Sequence, residues 1–263
     1  MSETRALCWS YGGGTQSVAI AVLVAQGKLP KPECIVIADT GREASETWEY
    51  TERYVNPMLG AVGCTIELAP HSLAKVDLFS GNGDLLIPTY TATGAMDGFC
   101  STEWKKRVVQ RHLRSKGYGP AHPVITWIGI SRDEIGRAKP SGLDWQEYAW
   151  PLIWMEPSMN RRDCYELVEK AGLPTPPKSS CWMCRHRRNS QWRRLRDYSP
   201  KDWEEACRMD LSIRTADLLS GGDGVWLHES RVALQDADLS EPDSGVNSLF
   251  GEVTGCDSGM CWV

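Results

Sequence analysis

The chain contains no run approaching the roughly 20 apolar residues that a membrane span needs. Its opening, Met1-Ser2-Glu3-Thr4-Arg5, has no apolar stretch of the secretory-signal kind. These absences point to a soluble, cytoplasmic protein with no membrane partner. Positive charge is not in excess either: 29 Lys and Arg face 34 Asp and Glu, for a formal net charge of -5. That excludes wholesale coating of nucleic acid and leaves a local basic face open. There is no internal repeat, and no Gly-Lys-Ser/Thr ending that would mark a Walker phosphate loop. What is present is ample apolar material. A chain of 263 residues that is 41% hydrophobic can bury a full core, as one α/β domain with appendages or as two small domains.

Ten cysteines would suggest disulfides in a secreted chain. In a reducing compartment they suggest metal or thiol chemistry instead. Cys8, Cys34 and Cys64 sit among apolar neighbours and read as core residues. Cys181-Trp182-Met183-Cys184 is a C-x-x-C in a loop, and Cys100 opens a basic helix. Such a set fits zinc, with His186 or Cys164 as the fourth ligand, or an iron–sulfur cluster, or a redox pair. Cys256 and Cys261 lie near the end of the chain. Twelve tryptophans serve packing or stacking.

The first third alternates strand and helix. Strands are expected at Ala6–Ser10, Cys34–Ala38 and, more weakly, Gly63–Leu68; helices at Ser17–Gln26 and Ala44–Leu59. This order predicts a parallel sheet. Residues Phe79–Phe99 are glycine-rich and read as a loop or lid over the carboxyl edge of the sheet. A basic helix is expected at Ser101–Ser115 and a further strand at Val124–Ile130. Beyond Pro151, helices are expected at Arg161–Ala171 and in two stretches over Gln191–Met209. The tail from Leu219 reads as loosely ordered. Three regions follow: 1–150 a nucleotide-binding α/β domain, 151–218 a helical region with the C-x-x-C, and 219–263 a tail.

Between the first strand and helix lies Tyr11-Gly12-Gly13-Gly14-Thr15-Gln16-Ser17. A glycine turn there lets backbone N–H groups approach phosphate oxygens, with the helix amino end adding favourable electrostatics. A tight strand-to-helix turn needs glycine in any case. Asp39 at the next strand end could accept from ribose or adenine, or serve as a turn residue. Arg132 and Arg137 could clamp phosphate or sulfate, or pair with Asp133 and Glu134.

The loop resembles the PP-loop of N-type ATP pyrophosphatases, Ser-Gly-Gly-x-Asp-Ser, with Gly12 in place of the first Ser and Gln16 in place of the Asp. Asp39-Thr40-Gly41 with Glu46-Thr47, Gly129-Ile130-Ser131-Arg132-Asp133-Glu134 with Arg137, and Trp150-Pro151-Leu152-Ile153 are similar to segments of the phosphoadenosine phosphosulfate reductase branch, in the same order. The resemblance covers roughly residues 5–205. It implies a Rossmann-like fold of the HUP type, ATP with Mg²⁺ at residues 11–17, Asp39, Thr40, Gly129, Arg132 and Arg137, and a [4Fe–4S] cluster on Cys100, Cys181 and Cys184. It also implies a sulfur-transferring or sulfur-reducing role for Cys256, Cys261 and Lys105.

Two dense cationic segments adjoin the cysteines: Lys105, Lys106, Arg107, Arg111 and Arg114, and the run Arg185-His186-Arg187-Arg188 with Arg193, Arg194 and Arg196. They read as a phosphate-binding face, with Trp182 and Trp192 available for base stacking, or as solvated helix surfaces. The expected function is ATP-dependent sulfur transfer to a nucleic-acid or nucleotide acceptor, with a sulfur-donor protein or thiol reductant as partner and a homodimer left open. The alternatives are a sulfonucleotide reductase and a non-catalytic nucleic-acid-binding protein with structural zinc.

Overall fold

The computed structural model describes residues 5–216 and 224–240. Five short strands form a parallel sheet: β1 (Ala6–Ser10), β2 (Cys34–Ala38), β3 (Ile66–Ala69), β6 (Val124–Ile128) and β7 (Gln146–Ala149), in the order β3-β2-β1-β6-β7. The fold is therefore α/β and Rossmann-like. The chain fills one side of β1 first and then returns to the other, so the topological switch point lies between β1 and β6. Open parallel sheets bind ligands at the carboxyl ends of the strands beside that point.

The alternation of side chains along the strands builds a core on each face. Trp9, Ile35 and Ile37 face one core with α1 (Thr15–Ala25), α3 (Asn56–Gly60) and α6 (Arg161–Lys170); Cys8, Cys34 and Val36 face the other with α4 (Arg107–Ser115). Helix α1 is buried from Thr15 to Val24, since sheet and α6 enclose it. That explains its nearly continuous run of Val, Ala, Ile and Leu. The α6 start is fixed by a capping box, Asn160 accepting from the Asp163 N–H at 2.9 Å and Asp163 accepting from the Asn160 N–H at 2.8 Å. The expected second helix is in three parts: α2 (Ser45–Tyr50), a π-helical turn (Thr51–Val55) and α3. The basic helix likewise opens with a π-helical segment, Ser101–Lys106, before α4.

Residues 79–99 are not simply a lid. They carry β4 (Thr89–Thr91) and β5 (Ala95–Met96), which join β8 (Val225–Trp226) in a small antiparallel sheet. Leu85, Leu86 and Ile87 are buried beneath it with Trp104, Met183, Trp192, Leu195, Ala206 and Ile213. The last four come from α7 (Asn189–Tyr198) and α8 (Pro200–Thr215). The described part of the tail, 224–240, is packed rather than loose: Val225, Leu227, Leu234 and Leu239 complete this core. The second core thus draws on all three expected regions. A short helix, α5 (Pro151–Trp154), closes the end of the first core. Among the described residues no helix is long and apolar enough to cross a membrane.

Asp210 on α8 ties the tail segment down. Its buried carboxylate accepts from the N–H of Leu227 and of Leu234, both at 3.0 Å, and from Arg214 Nε at 2.8 Å. Asp210→Ala would leave two buried N–H groups without acceptors, so a loss of about 2–4 kcal/mol in denaturant unfolding is expected, with Asp210→Asn losing less. Wild-type stability in the alanine variant would show that the segment is held by apolar packing alone.

Candidate functional site

A cavity of about 420 Å³ lies at the carboxyl ends of β1 and β6. Gly14, Thr15 and Gln16 reach it from the turn after β1 and Gly129 from the turn after β6. The turn is tight for steric reasons. Gly13 has φ +75°, in the left-handed region, and a Cβ there would sit 2.4 Å from Thr47 Cγ2. A Cβ on Gly129 would lie 2.9 Å from Ser17 Oγ. Ser17 is fully buried and accepts from the Gly12 N–H at 3.0 Å, so its hydroxyl staples the turn from inside. Tyr11 is also internal: its ring packs edge-on against Trp9 and its hydroxyl pairs with Thr51 Oγ1 at 3.1 Å.

The other walls come from far along the chain. Thr40 and Glu46 follow β2; Cys100, Trp104 and Lys105 lie at the basic helix; Arg137 ends the segment after β6, and Arg161 and Tyr165 lie at the start of α6. The segment Thr175–Cys181 with Cys184, Arg187, Gln191 and Arg194 closes the far side. Six cationic side chains therefore line the cavity, Lys105, Arg137, Arg161, Lys178, Arg187 and Arg194, against the one carboxylate of Glu46. Glu46 is itself paired with Arg194 at 2.6 Å. With the amino end of α1 opening into it, the cavity suits a polyanion.

The expected arginine clamp is not formed as a pair. Arg132 is exposed and its guanidinium bonds weakly to Ser158 at 3.4 Å, outside the cavity wall. The segment 132–137 is kinked at Glu134, with φ -111° and ψ 20°, between two short 3-10 turns, and Arg137 rather than Arg132 borders the cavity. Arg161 stands in its place. It and Arg137 both hold Glu134 Oε1 at 2.7 Å, while Gln16 Nε2 donates to Glu134 Oε2 at 2.7 Å. Asp39 serves the turn, accepting from the Gly41 N–H at 2.7 Å, and is not among the cavity walls.

The three expected metal-ligand cysteines do meet at this cavity. Burial pushes the Cys100 thiol up to about 12, the neighbouring Cys181 and Cys184 adding to the shift. Cys181 is raised to about 11 by burial and then by Glu43. Both are neutral thiols at pH 7, so loading a metal or cluster requires their deprotonation, and the affinity rises with pH up to these values. Among the described residues no group of three His, Cys, Asp or Glu converges closely enough to hold a single metal ion. Cys164 is wholly buried in the first core and His186 is not a cavity wall, so neither serves as a fourth ligand at this cavity. Trp192 is buried in the second core and has no face for base stacking. Cys256 and Cys261 lie outside the described residues.

Several residues of the site carried no motif signal. Glu43 is buried, its backbone paired with Cys181; Oε1 accepts from Ser179 Oγ at 3.0 Å and Thr47 Oγ1 at 3.3 Å, and Oε2 lies 3.5 Å from Lys105 Nζ. Ser179 Oγ also contacts the Gly12 carbonyl, so one hydroxyl touches both the phosphate turn and Glu43. Ser180 is buried on the cavity wall, and its Oγ has no hydrogen-bond partner among the described residues. Arg187 is buried too, its guanidinium donating to the carbonyls of Ser180 at 3.2 Å and Cys181 at 3.3 Å. Gly98 is required by close approach: a Cβ would lie 2.5 Å from the Leu86 carbonyl, the same oxygen that accepts from the Phe99 and Cys100 N–H groups. Adjacency to Cys100 and Cys181 is the one sequence signal that could have pointed toward Gly98, Ser179 and Ser180.

Gln16 and Glu134 form a matched pair that a double-mutant cycle can test. Gln16→Glu sets two carboxylates against each other and is expected to cost about 1–3 kcal/mol in stability and to weaken anion binding at the cavity about tenfold. Glu134→Gln in the same chain is expected to recover most of the stability. Additive losses in the cycle would show that the contact carries no coupling. No protein-family model matches the chain and no curated protein matches it, so the functional reading rests on the geometry and chemistry of this cavity.

Proposed function

We propose that the chain is a PP-loop enzyme of the HUP type that binds ATP with Mg²⁺ in this cavity and transfers sulfur to a nucleic-acid or nucleotide acceptor. One observation carries the reading: the turn at the amino end of α1, six cationic side chains and three cysteines from distant parts of the chain border the same cavity. A phosphate-binding turn alone serves many functions, and a cysteine cluster alone serves as many. Their convergence in a space of about 420 Å³ fits a nucleotide phosphate and a sulfur centre acting on one acceptor.

The residues divide the work. Backbone N–H groups of Gly14, Thr15 and Gln16 face the phosphates, and Lys105, Lys178 and Arg187 neutralise charge on the transferred phosphoryl centre. The acceptor oxygen attacks the α-phosphorus of ATP and displaces pyrophosphate, leaving the acceptor adenylated; hydrosulfide from a sulfur donor then attacks the adenylated carbon, the C–S bond forming as the C–O bond breaks and AMP leaves. Cys100, Cys181 and Cys184 would hold a [4Fe–4S] cluster, since all three border the one cavity. When bound, such a cluster supplies the site from which sulfur is delivered. A zinc ion on the same thiols is the alternative.

Anaerobic purification is expected to give a brown protein with about four iron and four sulfide per chain. Replacing Cys100, Cys181 and Cys184 together by Ala removes both. ATP with Mg²⁺ and cellular RNA or DNA is expected to release pyrophosphate, and Lys105→Ala to slow that release about 10²-fold. A colourless protein with stoichiometric zinc that leaves ATP unchanged would overturn the proposal.

A further inference from the structure

The structure divides the basic helix between two places. Lys105 lines the cavity, whereas Arg107, Arg111 and Arg114 line a separate, open groove of about 300 Å³ with Gln110, Leu143 and Trp145. Positions 107, 111 and 114 have the spacing of one stripe along a helix face. Arg107 and Arg114 are exposed and Arg111 half-buried. Two of the three are held in place: Arg111 Nη1 donates to the Leu73 carbonyl at 2.6 Å, and the Arg114 guanidinium lies 5.8 Å from the centre of the Trp145 ring. Among the described residues the one carboxylate ion-paired with the stripe is that of Glu103, on Arg107.

On a chain of net charge -5, three guanidinium groups in one groove focus a positive potential, and their planar forks match phosphate oxygens. We infer that this groove binds the phosphodiester backbone of a polynucleotide. Resting on the proposed function, it follows that the acceptor at the cavity is nucleic acid rather than a free nucleotide. The stripe begins two residues after Lys105 and extends seven residues, about 10 Å along the helix. About three phosphates of one strand occupy that length along a duplex. Little in the groove can read bases: the Gln110 amide is committed to Gln146 Oε1 at 2.9 Å, and Arg114 occupies the Trp145 ring. Recognition there is of backbone rather than sequence.

The test uses the full chain and labelled 20-nucleotide single strands of RNA and DNA, by fluorescence anisotropy across a KCl series, with ATP binding followed separately by calorimetry. Arg107→Gln with Arg114→Gln is expected to weaken oligonucleotide binding about tenfold at ~0.1 M salt and to lower the log–log salt slope by about 1 to 2, with ATP affinity unchanged. Arg114→Gln alone should give about half the slope change, which keeps the test open if the double variant folds poorly. Arg162→Gln with Arg208→Gln, both exposed elsewhere, removes the same charge and should leave binding near wild type. Equal losses in the two double variants, no oligonucleotide binding by the wild type, or equally tight binding of polyglutamate would each overturn the inference. Groove-dependent oligonucleotide binding by a protein that does not bind ATP would instead overturn the proposed function and leave the groove standing.

Discussion

The site depends on a short seam between two stretches of chain more than 130 residues apart. The loop after β2 and the segment before Cys184 pair through backbone: the Ala44 N–H donates to the Ser180 carbonyl at 3.2 Å and the Trp182 N–H to the Arg42 carbonyl at 2.8 Å. Thr40 Oγ1 approaches Cys181 Sγ at 3.5 Å, and Ser45 on α2 is capped by Asp202 on α8 through both its N–H and its hydroxyl. Each such bond is worth only about 0.5–1.5 kcal/mol net. Together they fix the cysteine loop against the loop after β2, and so hold one wall of the cavity in place. Arg187 reinforces the seam from behind, since a buried guanidinium must find acceptors and finds them in the cysteine loop's own carbonyls.

Glu43 lies at the centre of this seam, and its partner Ser179 faces more acceptors than it can serve at once. Ser179 has a single hydroxyl hydrogen, yet its oxygen lies beside both the Gly12 carbonyl and the Glu43 carboxylate. A hydrogen placed toward the Gly12 carbonyl leaves Glu43 to Thr47 and Lys105. The glycine turn, the cysteine segment and the basic helix thus share one small polar network, in which moving any member changes what the others can bond. Glu43 offsets part of the Lys105 charge while the remaining cations keep the cavity electropositive.

Much of the first core was readable from sequence because its signals are local. The bounds of β1 and β2 follow from short apolar runs near glycine, whereas α1 starts at Thr15, two residues before the expected Ser17. The second core was less legible, since β4, paired locally with β5, finds its other partner in β8 about 130 residues later, and two- and three-residue strands have no periodicity of their own. The site divides in the same way. Cys100, Cys181 and Cys184 stood out in the sequence and border one cavity in the fold, but Glu43, Lys178 and Arg161 join that neighbourhood only once the chain is folded. Arg132 misled because a motif position does not specify a direction, and Trp192 because an aromatic beside basic residues can as easily be core.

Gln16 shows how a departure in sequence becomes intelligible in three dimensions. An Asp at this position would face the Glu134 carboxylate, with the two arginines that hold Glu134 at Oε1 left to screen both charges. A neutral amide removes the repulsion and supplies the donor that Oε2 lacks, at 2.7 Å. The same bond ties the first turn of α1 to the segment after β6, across the switch point of the sheet. Glutamine at position 16 therefore acts as a strut between two walls of the cavity.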